Sequence, residues 1–247
     1  SGPILGTSYP VTIAGTVTQA HAEILACIVV SQLVNPGAPI DYTSFARGID
    51  MKSGNISMAC PEFGILKVAM AQMGRYLDLP VRMPALLRDA KVVDAQAGYE
   101  TGMIGTVTGL AADLMDAMQL DMDMVVDFPD LVFCNECMAG ITRMARELKV
   151  DEESLALEAM KNVGPGGTFL SHPHTFDNFR QELWIPSLLE RRNWELWEAD
   201  GSPDIFKVVE RKAFDMLAQK AIPLLSEEIE KQIDAVVERA HTKYVEH

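Results

Sequence analysis

Two stretches of the chain carry most of the side chains that could do chemistry. The first, Arg88–Glu100, has the sequence RDAKVVDAQAGYE and contains Asp89, Lys91, Asp94, Gln96, Tyr99 and Glu100 within 13 residues. It follows a predicted strand, and the ends of parallel strands are where α/β folds place their functional groups. This density of polar groups therefore predicts a site. The alternative is a solvated loop followed by a helix that has Asp94 as its N-cap.

The second stretch is Gly164–Arg180, with the sequence GPGGTFLSHPHTFDNFR. Its two histidines, His172 and His174, could be metal ligands, a catalytic base or structural groups. We do not expect both of them to bind one metal. The glycines lack the spacing of a phosphate-binding loop and no lysine follows them. We expect a loop stiffened by Pro173, with His174 facing the site.

A third candidate is the pair Cys134 and Cys137, in the sequence CNEC. Together with a histidine, such a C-x-x-C pair could complete a zinc site. The pair lies in a helix-like run, however, where cysteines often pack as small apolar residues. We predict no metal site, and zinc chemistry stays open as an alternative.

The overall composition excludes several classes of protein. The chain has 247 residues, of which 48% are hydrophobic and 23% charged, as in ordinary globular proteins. A net charge of −14 argues against a nucleic-acid partner. The longest apolar run, Ile24–Val30, is too short to span a membrane, and four irregularly spaced cysteines fit a reducing compartment. The expected location is the cytoplasm.

Strand-like and helix-like segments alternate through the first 150 residues. The predicted strands are Pro10–Gly15, Ala38–Phe45, Val81–Leu87 and Met122–Phe128. The predicted helices are Thr16–Val34, Pro61–Leu79, Asp94–Met118 and Leu131–Leu148. Four such units with short connections predict a parallel sheet covered by helices.

The pattern changes after Val150, where only helices are predicted, among them Ile205–Leu217 and Ser226–Tyr244. We therefore divide the chain into residues 1–150 and 151–247. Four β-α units fit neither a closed barrel of eight nor the usual open sheet of five or six. Part of the fold is expected to come from elsewhere.

Several segments together resemble one known family. They are PVTIAGTVTQAHAEILACIVVSQLVNPGAPIDY, DMKSGN with PEFGILKVAMAQMGRYLDLP, DAKVVDAQAGYE, and VGPGGTFLSHPHTFDNFRQELWIPSLLERRNWELWEADG. The chain resembles the trimethylamine methyltransferase superfamily from about Tyr9 to Ala240. Within it, the chain is similar to pyrrolysine-free members such as glycine betaine:corrinoid methyltransferases.

This resemblance implies a TIM barrel of about twice the present length. The chain would supply its C-terminal half, four β/α units and a helical C-terminal extension. It would then pair with an N-terminal half or form a homo-oligomer. The region that carries pyrrolysine in trimethylamine-specific relatives corresponds to Ala85–Val92, which contains only standard residues. That departure favours a quaternary amine such as glycine betaine over trimethylamine.

The resemblance also implies the chemistry. A methyl group leaves a quaternary ammonium and goes to the Co(I) corrinoid of a partner protein, so no tightly bound cofactor is expected. A trimethylammonium group calls for aromatic faces and carboxylates. We predict Asp89, Glu100 and His174 as catalytic residues. Predicted to bind substrate are Tyr42, Phe45, Arg88, Gln96, Tyr99, His172 and Phe176.

Two alternatives remain for the function. The chain could be a noncatalytic or incomplete half-barrel binding module. It could also be a zinc-dependent methyltransferase that uses Cys134, Cys137 and a histidine.

Overall fold

A computed structural model of the protein describes residues 1–219 and 224–245. The chain forms two compact units, one that ends at Lys212 and one that begins at Ala213. The predicted division after residue 150 stays a prediction.

The first unit is a mixed α/β structure. Its strands are β1 (Tyr42–Thr43), β2 (Gly48–Ile49), β3 (Ile56–Ser57), β4 (Val81–Pro84) and β5 (Leu114–Asp116). The long helices between and after them are α1 (Ile13–Val34), α2 (Pro61–Tyr76), α3 (Ala95–Gly109) and α4 (Phe128–Ala145). Shorter helices follow: α5 (Glu152–Leu155), α6 (Leu157–Val163), α7 (Pro173–Glu182) and α8 (Trp194–Ala199). Helix α9 (Ile205–Leu217) begins in this unit and ends in the second.

A parallel sheet in the order β1-β4-β5 lies at the centre of this unit, and β2 and β3 form an antiparallel hairpin. Tyr42 pairs with Val81 in the sheet, and Ile4 near the start of the chain makes a parallel bridge to Arg47. The bridge at Ile4 and the strands β1, β4 and β5 therefore each precede a long helix. The predicted parallel sheet covered by helices is confirmed, and the described strands form an open sheet.

The predicted strand Pro10–Gly15 is wrong, because Ile13–Gly15 begin α1. The Thr16 hydroxyl donates to the carbonyl of Pro10 at 2.7 Å and fastens this helix start. A short β-branched run cannot be told from a buried helix segment by its pattern alone. The strand position at this edge is taken instead by the residues around Ile4.

The predicted helix Asp94–Met118 ends early, and the predicted strand Met122–Phe128 does not form. Helix α3 stops at Gly109, and β5 then occupies Leu114–Asp116. The side chain of Asp113 accepts a hydrogen bond of 2.8 Å from the Val81 amide, which holds this segment against the start of β4. That tertiary contact outweighs the helical pattern of the sequence. Residues Asp121–Asp123 form a short 3-10 turn with positive φ angles.

One face of the sheet is covered by helices and carries the core. Tyr42, Val81 and Met83 are buried against Ile24 of α1 and Met70 of α2. Burying these apolar side chains is the main source of stability for the unit.

The opposite face of the sheet is polar. It carries Thr43, Arg82 and Asp116, which are only partly buried, and Arg82 forms ion pairs with Asp41 and Asp116 across the three strands. Within the described residues, the Thr43 hydroxyl and one carboxylate oxygen of Asp116 are buried without a partner.

Helix α1 is unusually apolar on its outer side. Among the described residues, it alone is long and apolar enough to cross a bilayer, judged by length and composition. An apolar helix that other parts of a protein cover passes the same test, so one such helix is a weak indication. The expectation that no segment spans a membrane stays a prediction.

The second unit contains α10 (Glu227–Tyr244). Its N-cap is Ser226, whose hydroxyl accepts a hydrogen bond from the Ile229 amide, and its first turn is acidic. Negative charge at a helix N-terminus stabilises the helix dipole. The predicted helix Ser226–Tyr244 is confirmed, as is the predicted helix Ile205–Leu217.

Candidate functional site

The segments that follow β4 and β5 run side by side at the carboxyl end of the sheet. The amides of Leu86 and Arg88 donate to the carbonyls of Ala117 and Gln119, both at 3.1 Å. In return, the Met122 amide donates to the carbonyl of Arg88 at 2.9 Å. The predicted polar stretch after β4 therefore lies on a fixed backbone.

Glu100 is the central acceptor of this region. Its carboxylate is buried and accepts from the amides of Asp89 at 2.9 Å and Ala90 at 3.1 Å. The side-chain amide of Gln96 donates to its other oxygen at 2.7 Å, across one turn of α3. Asp94 caps this helix by accepting from the amides of Gln96 and Ala97. The interpretation of Asp94 as an N-cap is confirmed, and it coexists with a carboxylate cluster.

Asp89 joins this cluster to the β2–β3 hairpin. Its carboxylate accepts from the Ser57 hydroxyl and, at 2.8 Å, from the Met58 amide. Ser57 was missing from the predicted site because it lies 32 residues before its partner, and no local pattern marks it. Both predicted carboxylates thus have fixed positions, about 11 residues apart in sequence but joined through the amide of Asp89.

Phe45 adjoins the same loops. It follows β1, is half-buried, and packs on an apolar cluster of Met58, Phe63, Leu87 and Ile104. Met58 in turn donates to Asp89. The structure therefore brings together three of the predicted site residues, Asp89, Gln96 and Glu100, and links Phe45 to them through Met58. Aromatic rings and negative charge are the groups that suit a cation.

Arg88 lies beneath this cluster rather than on its surface. Its guanidinium is fully buried and pairs with both carboxylate oxygens of Asp130, one of them at 2.8 Å. Burial alone would lower the pKa of Arg88, but the hydrogen bonds to Asp130 outweigh it and the pKa is raised. This pair ties the loop after β4 to the first turn of α4. Whether Arg88 also contacts substrate stays a prediction.

Two of the predicted aromatic residues lie elsewhere. Tyr42 is buried on the helix-covered face of the sheet, where its hydroxyl lies 2.8 Å from Nδ1 of His21. Burial raises the pKa of Tyr42 to about 12. Tyr99 is 66% exposed on α3. The structure does not bring either side chain into the carboxylate cluster.

The histidine stretch is not an extended loop, and that expectation is wrong. Helix α7 begins at Pro173, and Nδ1 of His172 accepts a hydrogen bond of 3.1 Å from the His174 amide. Proline at the first helical position is favourable because its missing N–H would be unpaired there. His172 is therefore the N-cap of a helix, and Phe176 on that helix is 68% exposed.

His174 lies far from the carboxylates. It borders a cleft of about 370 Å³ with Arg143, Arg146 and Lys149, at the carboxyl end of α4. Asp130, which pairs with Arg88, is at the other end of this 18-residue helix. A helix of that length extends roughly 27 Å. The structure thus does not bring His174 together with Asp89 and Glu100, and its catalytic role stays a prediction.

Comparison with known proteins adds the family. The family model described as trimethylamine methyltransferase matches residues 3–244, nearly the whole chain. The chain belongs to the trimethylamine methyltransferase family.

Relatives of known name agree with this family. The chain is 32% identical over 235 residues to a glycine betaine methyltransferase of Desulfitobacterium hafniense. The matched residues make up 94% of the chain and 49% of that protein. It is 33% identical over 240 residues to a trimethylamine methyltransferase of Methanosarcina barkeri. Here the matched residues make up 95% of the chain and 48% of that protein. The chain therefore spans about half the length of these family members.

The two cysteines considered for zinc, Cys134 and Cys137, are buried and half-buried on α4. Burial raises the pKa of Cys134 to about 12 and that of Cys137 to about 11. Across residues 1–219 and 224–245, no three His, Cys, Asp or Glu side chains are grouped in a way that could hold a metal ion. The zinc alternative gains no support from this geometry.

Glu136 is a buried carboxylate that the sequence did not indicate. On α4, it accepts from the amides of Ser187 at 2.7 Å and Leu188 at 3.0 Å, and from the Ser187 hydroxyl at 2.6 Å. Burial by itself would raise the pKa of Glu136, but these hydrogen bonds lower it. Glu136 thus fixes the segment around Ser187 and Leu188, which follows α7 and borders a cleft of about 790 Å³. Its partners lie 51 and 52 residues away in sequence.

Proposed function

We propose that the chain is part of a methyltransferase that takes a methyl group from a quaternary amine of the glycine betaine kind. The acceptor would be the Co(I) corrinoid of a partner protein, which acts as a second substrate. The observation that carries the proposal is the pair of fixed carboxylates, Asp89 and Glu100, with Phe45 packed on Met58, whose amide donates to Asp89. The names of the relatives, a glycine betaine and a trimethylamine methyltransferase, support the reaction type.

The demands of this reaction match such a site. The Co(I) electron pair attacks the methyl carbon, the C–N bond breaks, and its electrons stay on nitrogen. The leaving group is a neutral tertiary amine, so no acid has to protonate it. The protein then acts by orientation and electrostatics. Asp89 and Glu100 supply negative charge, Phe45 supplies an aromatic face, and Gln96 is oriented by Glu100.

We also propose that the chain forms half of a TIM barrel. The parallel order of the sheet, its bare polar face and the doubled length of the relatives support this. The missing strands would come from the remaining family sequence, in the same polypeptide or in a partner. The corrinoid protein would bind at the carboxyl ends of the strands, where a barrel presents its site.

The experiment uses isothermal titration calorimetry to compare glycine betaine with its carbon isostere, 3,3-dimethylbutanoate, in which a neutral tert-butyl group replaces the trimethylammonium group. Glycine betaine should bind about 5- to 30-fold more tightly, because a trimethylammonium group over an aromatic face gains about 1–2 kcal/mol. Asp89→Asn should remove most of this preference, whereas the same change at the exposed residue Asp78 should not. Equal binding of both compounds would contradict the proposal.

Activity separates the enzyme from the noncatalytic alternative. Methylation of free Co(I) cobalamin with glycine betaine would be followed by its absorption spectrum. Methyl transfer that is lost in Asp89→Asn supports the enzyme. Binding of glycine betaine without any methyl transfer, with and without the remaining family sequence, would favour a binding module.

A further inference from the structure

Lys67 is a buried charged residue that the proposed reaction does not use. It lies on α2 and is completely inaccessible to solvent. Its Nζ donates to the carbonyls of Ser44 at 2.7 Å and Ala46 at 2.8 Å, and it lies 4.1 Å from the centre of the Phe63 ring. No carboxylate lies within 4.0 Å of this ammonium in the part of the chain that the structure describes.

The environment of Lys67 is unfavourable for a charge. Burial lowers its pKa well below the usual value, and the nearby charge of Arg47 lowers it further, while Asp116 and Cys60 act weakly in the other direction. A lysine in such a place is retained at a cost in free energy, since a buried charge without a counterion is poorly solvated. Its two hydrogen bonds must therefore serve some purpose.

The reason for the lysine lies in the sheet. The register of β1 and β4 pairs Thr43 with Arg82, and its continuation would place Phe45 opposite Pro84. Proline has no N–H to donate, so the ladder stops there. The next donor on that strand segment, the amide of Leu86, bonds to Ala117 instead. The carbonyls of Ser44 and Ala46 thus receive no hydrogen bond from the neighbouring strand. The ammonium of Lys67 donates to both carbonyls instead.

The other side of the same segment is also held. The amide of Phe45 donates to the carbonyl of Ser1 at 2.8 Å, and that of Arg47 donates to Pro3 at 2.9 Å. The peptide groups that precede Phe45 and follow Ala46 are therefore fixed from two directions, one by backbone and one by Lys67. Because a side chain follows its backbone, the ring position depends on both.

We propose that Lys67 is a positioning residue that holds the carbonyls flanking Phe45, so that this ring stays where a quaternary ammonium can meet it. The inference rests on the proposed function for the role of Phe45. The lysine does not contact the substrate. It supplies the two hydrogen bonds that the strand no longer donates from Pro84 onward, and it thereby keeps the Phe45 ring in place.

The test uses the 19F resonance of Phe45 in protein labelled with 4-fluorophenylalanine, assigned through Phe45→Leu among the nine phenylalanines. Lys67→Met keeps the length of the side chain but removes the donors. It should shift this resonance and weaken tetramethylammonium binding by about tenfold, because a ring that is no longer held in place loses most of its contact with the cation. The matched control, Lys52→Met in the exposed turn of the β2–β3 hairpin, should change neither. A folded Lys67→Met protein with an unchanged resonance would overturn the proposal.

A titration of the unsubstituted protein keeps the test open if Lys67→Met does not fold. The Phe45 resonance should move with a midpoint below pH 10.5, the usual pKa of lysine, as Lys67 loses its proton. Cys60, whose thiol also titrates at alkaline pH, is removed in this experiment by Cys60→Ser. A resonance that does not move below pH 10.5 would count against the proposal. If the resonance moves but no amine binds, the positioning role stands and the proposed function fails.

Discussion

Single residues in this chain divide into those that hold loops and those that remain available for a ligand. Arg88 belongs to the first group, because both arms of its guanidinium are taken by Asp130 in the interior. Glu100 holds the loop after β4 by accepting from the amides of Asp89 and Ala90, and it is one of the carboxylates of the candidate site. The catalytic role of Glu100 stays a prediction, whereas at Arg88 the residue type indicated a charge whose partner lies 42 positions away.

The buried ion pair leads to a prediction about stability. Arg88→Met or Asp130→Leu alone should lower the free energy of unfolding by about 3–5 kcal/mol, since each leaves one buried charge unpaired. The double variant should lose much less than the sum. Urea denaturation of all four proteins gives this cycle.

The exposed pair of Glu158 and Lys161 on α6 serves as the control. Breaking it should change stability by less than about 1 kcal/mol. Additive losses at Arg88 and Asp130 would show that the two side chains do not depend on each other. A stable Arg88→Met protein that has lost its affinity for glycine betaine would instead show that Arg88 binds substrate.

At the scale of elements, the candidate site is assembled by short connections rather than by the sheet alone. The β2–β3 hairpin is tied to the loop after β4 by Asp89, and α3 begins at the cap Asp94, six residues before Glu100. The start of α3 thus sets the position of both Gln96 and Glu100. Loss of the Asp94 cap should therefore change the positions of Gln96 and Glu100.

Asp94→Ala should lower the free energy of unfolding by about 1 kcal/mol, because two amides at the start of α3 lose their acceptor. Asp94→Asn keeps an acceptor at the same place and should lose only a few tenths of this. Thermal denaturation followed by circular dichroism measures both. Equal losses for alanine and asparagine would mean that the charge of Asp94, and not its hydrogen bonds, stabilises the helix.

At the scale of the whole molecule, the first unit presents surfaces that are typical of an interface. The outer side of α1 exposes Val29, Val30, Leu33 and Val34 by 56, 61, 78 and 81%. The chain also spans about half the length of its relatives. Contiguous apolar patches of this kind mark sites of association. The predicted homo-oligomer or pairing with an N-terminal half would cover such a surface.

The double variant Val29→Glu with Leu33→Glu should therefore reduce self-association of the isolated chain. Charged residues on this side of α1 would have to be desolvated in any apolar contact. Sedimentation velocity over a range of concentrations measures the change. Leu148→Glu with Val150→Glu, in an equally exposed segment outside α1, is the matched control. Association that persists in the α1 variant would place the contact elsewhere.

The fold was predictable where local chemistry decides and unpredictable where distant contacts do. The caps Asp94 and Ser226 act on amides within three residues, so their helix starts could be predicted. The end of α3 and the position of β5 could not, because Asp113 is drawn to the Val81 amide 32 residues earlier. The helix-like pattern of the sequence continues through Leu114–Asp116, but the contact between Asp113 and Val81 holds these residues in an extended strand.

The sequence by itself determined the family, the parallel α/β class and the polar stretch that contains Asp89, Gln96 and Glu100. These depend on hydrophobic pattern and on residue types close together along the chain. Only the tertiary structure decided that Ser57 and Phe45 join this stretch, that His174 lies at the other end of α4, and that Arg88 and Lys67 are interior charges. The partner of a buried charge depends on how distant segments pack together, and this packing cannot be read from local sequence patterns or composition.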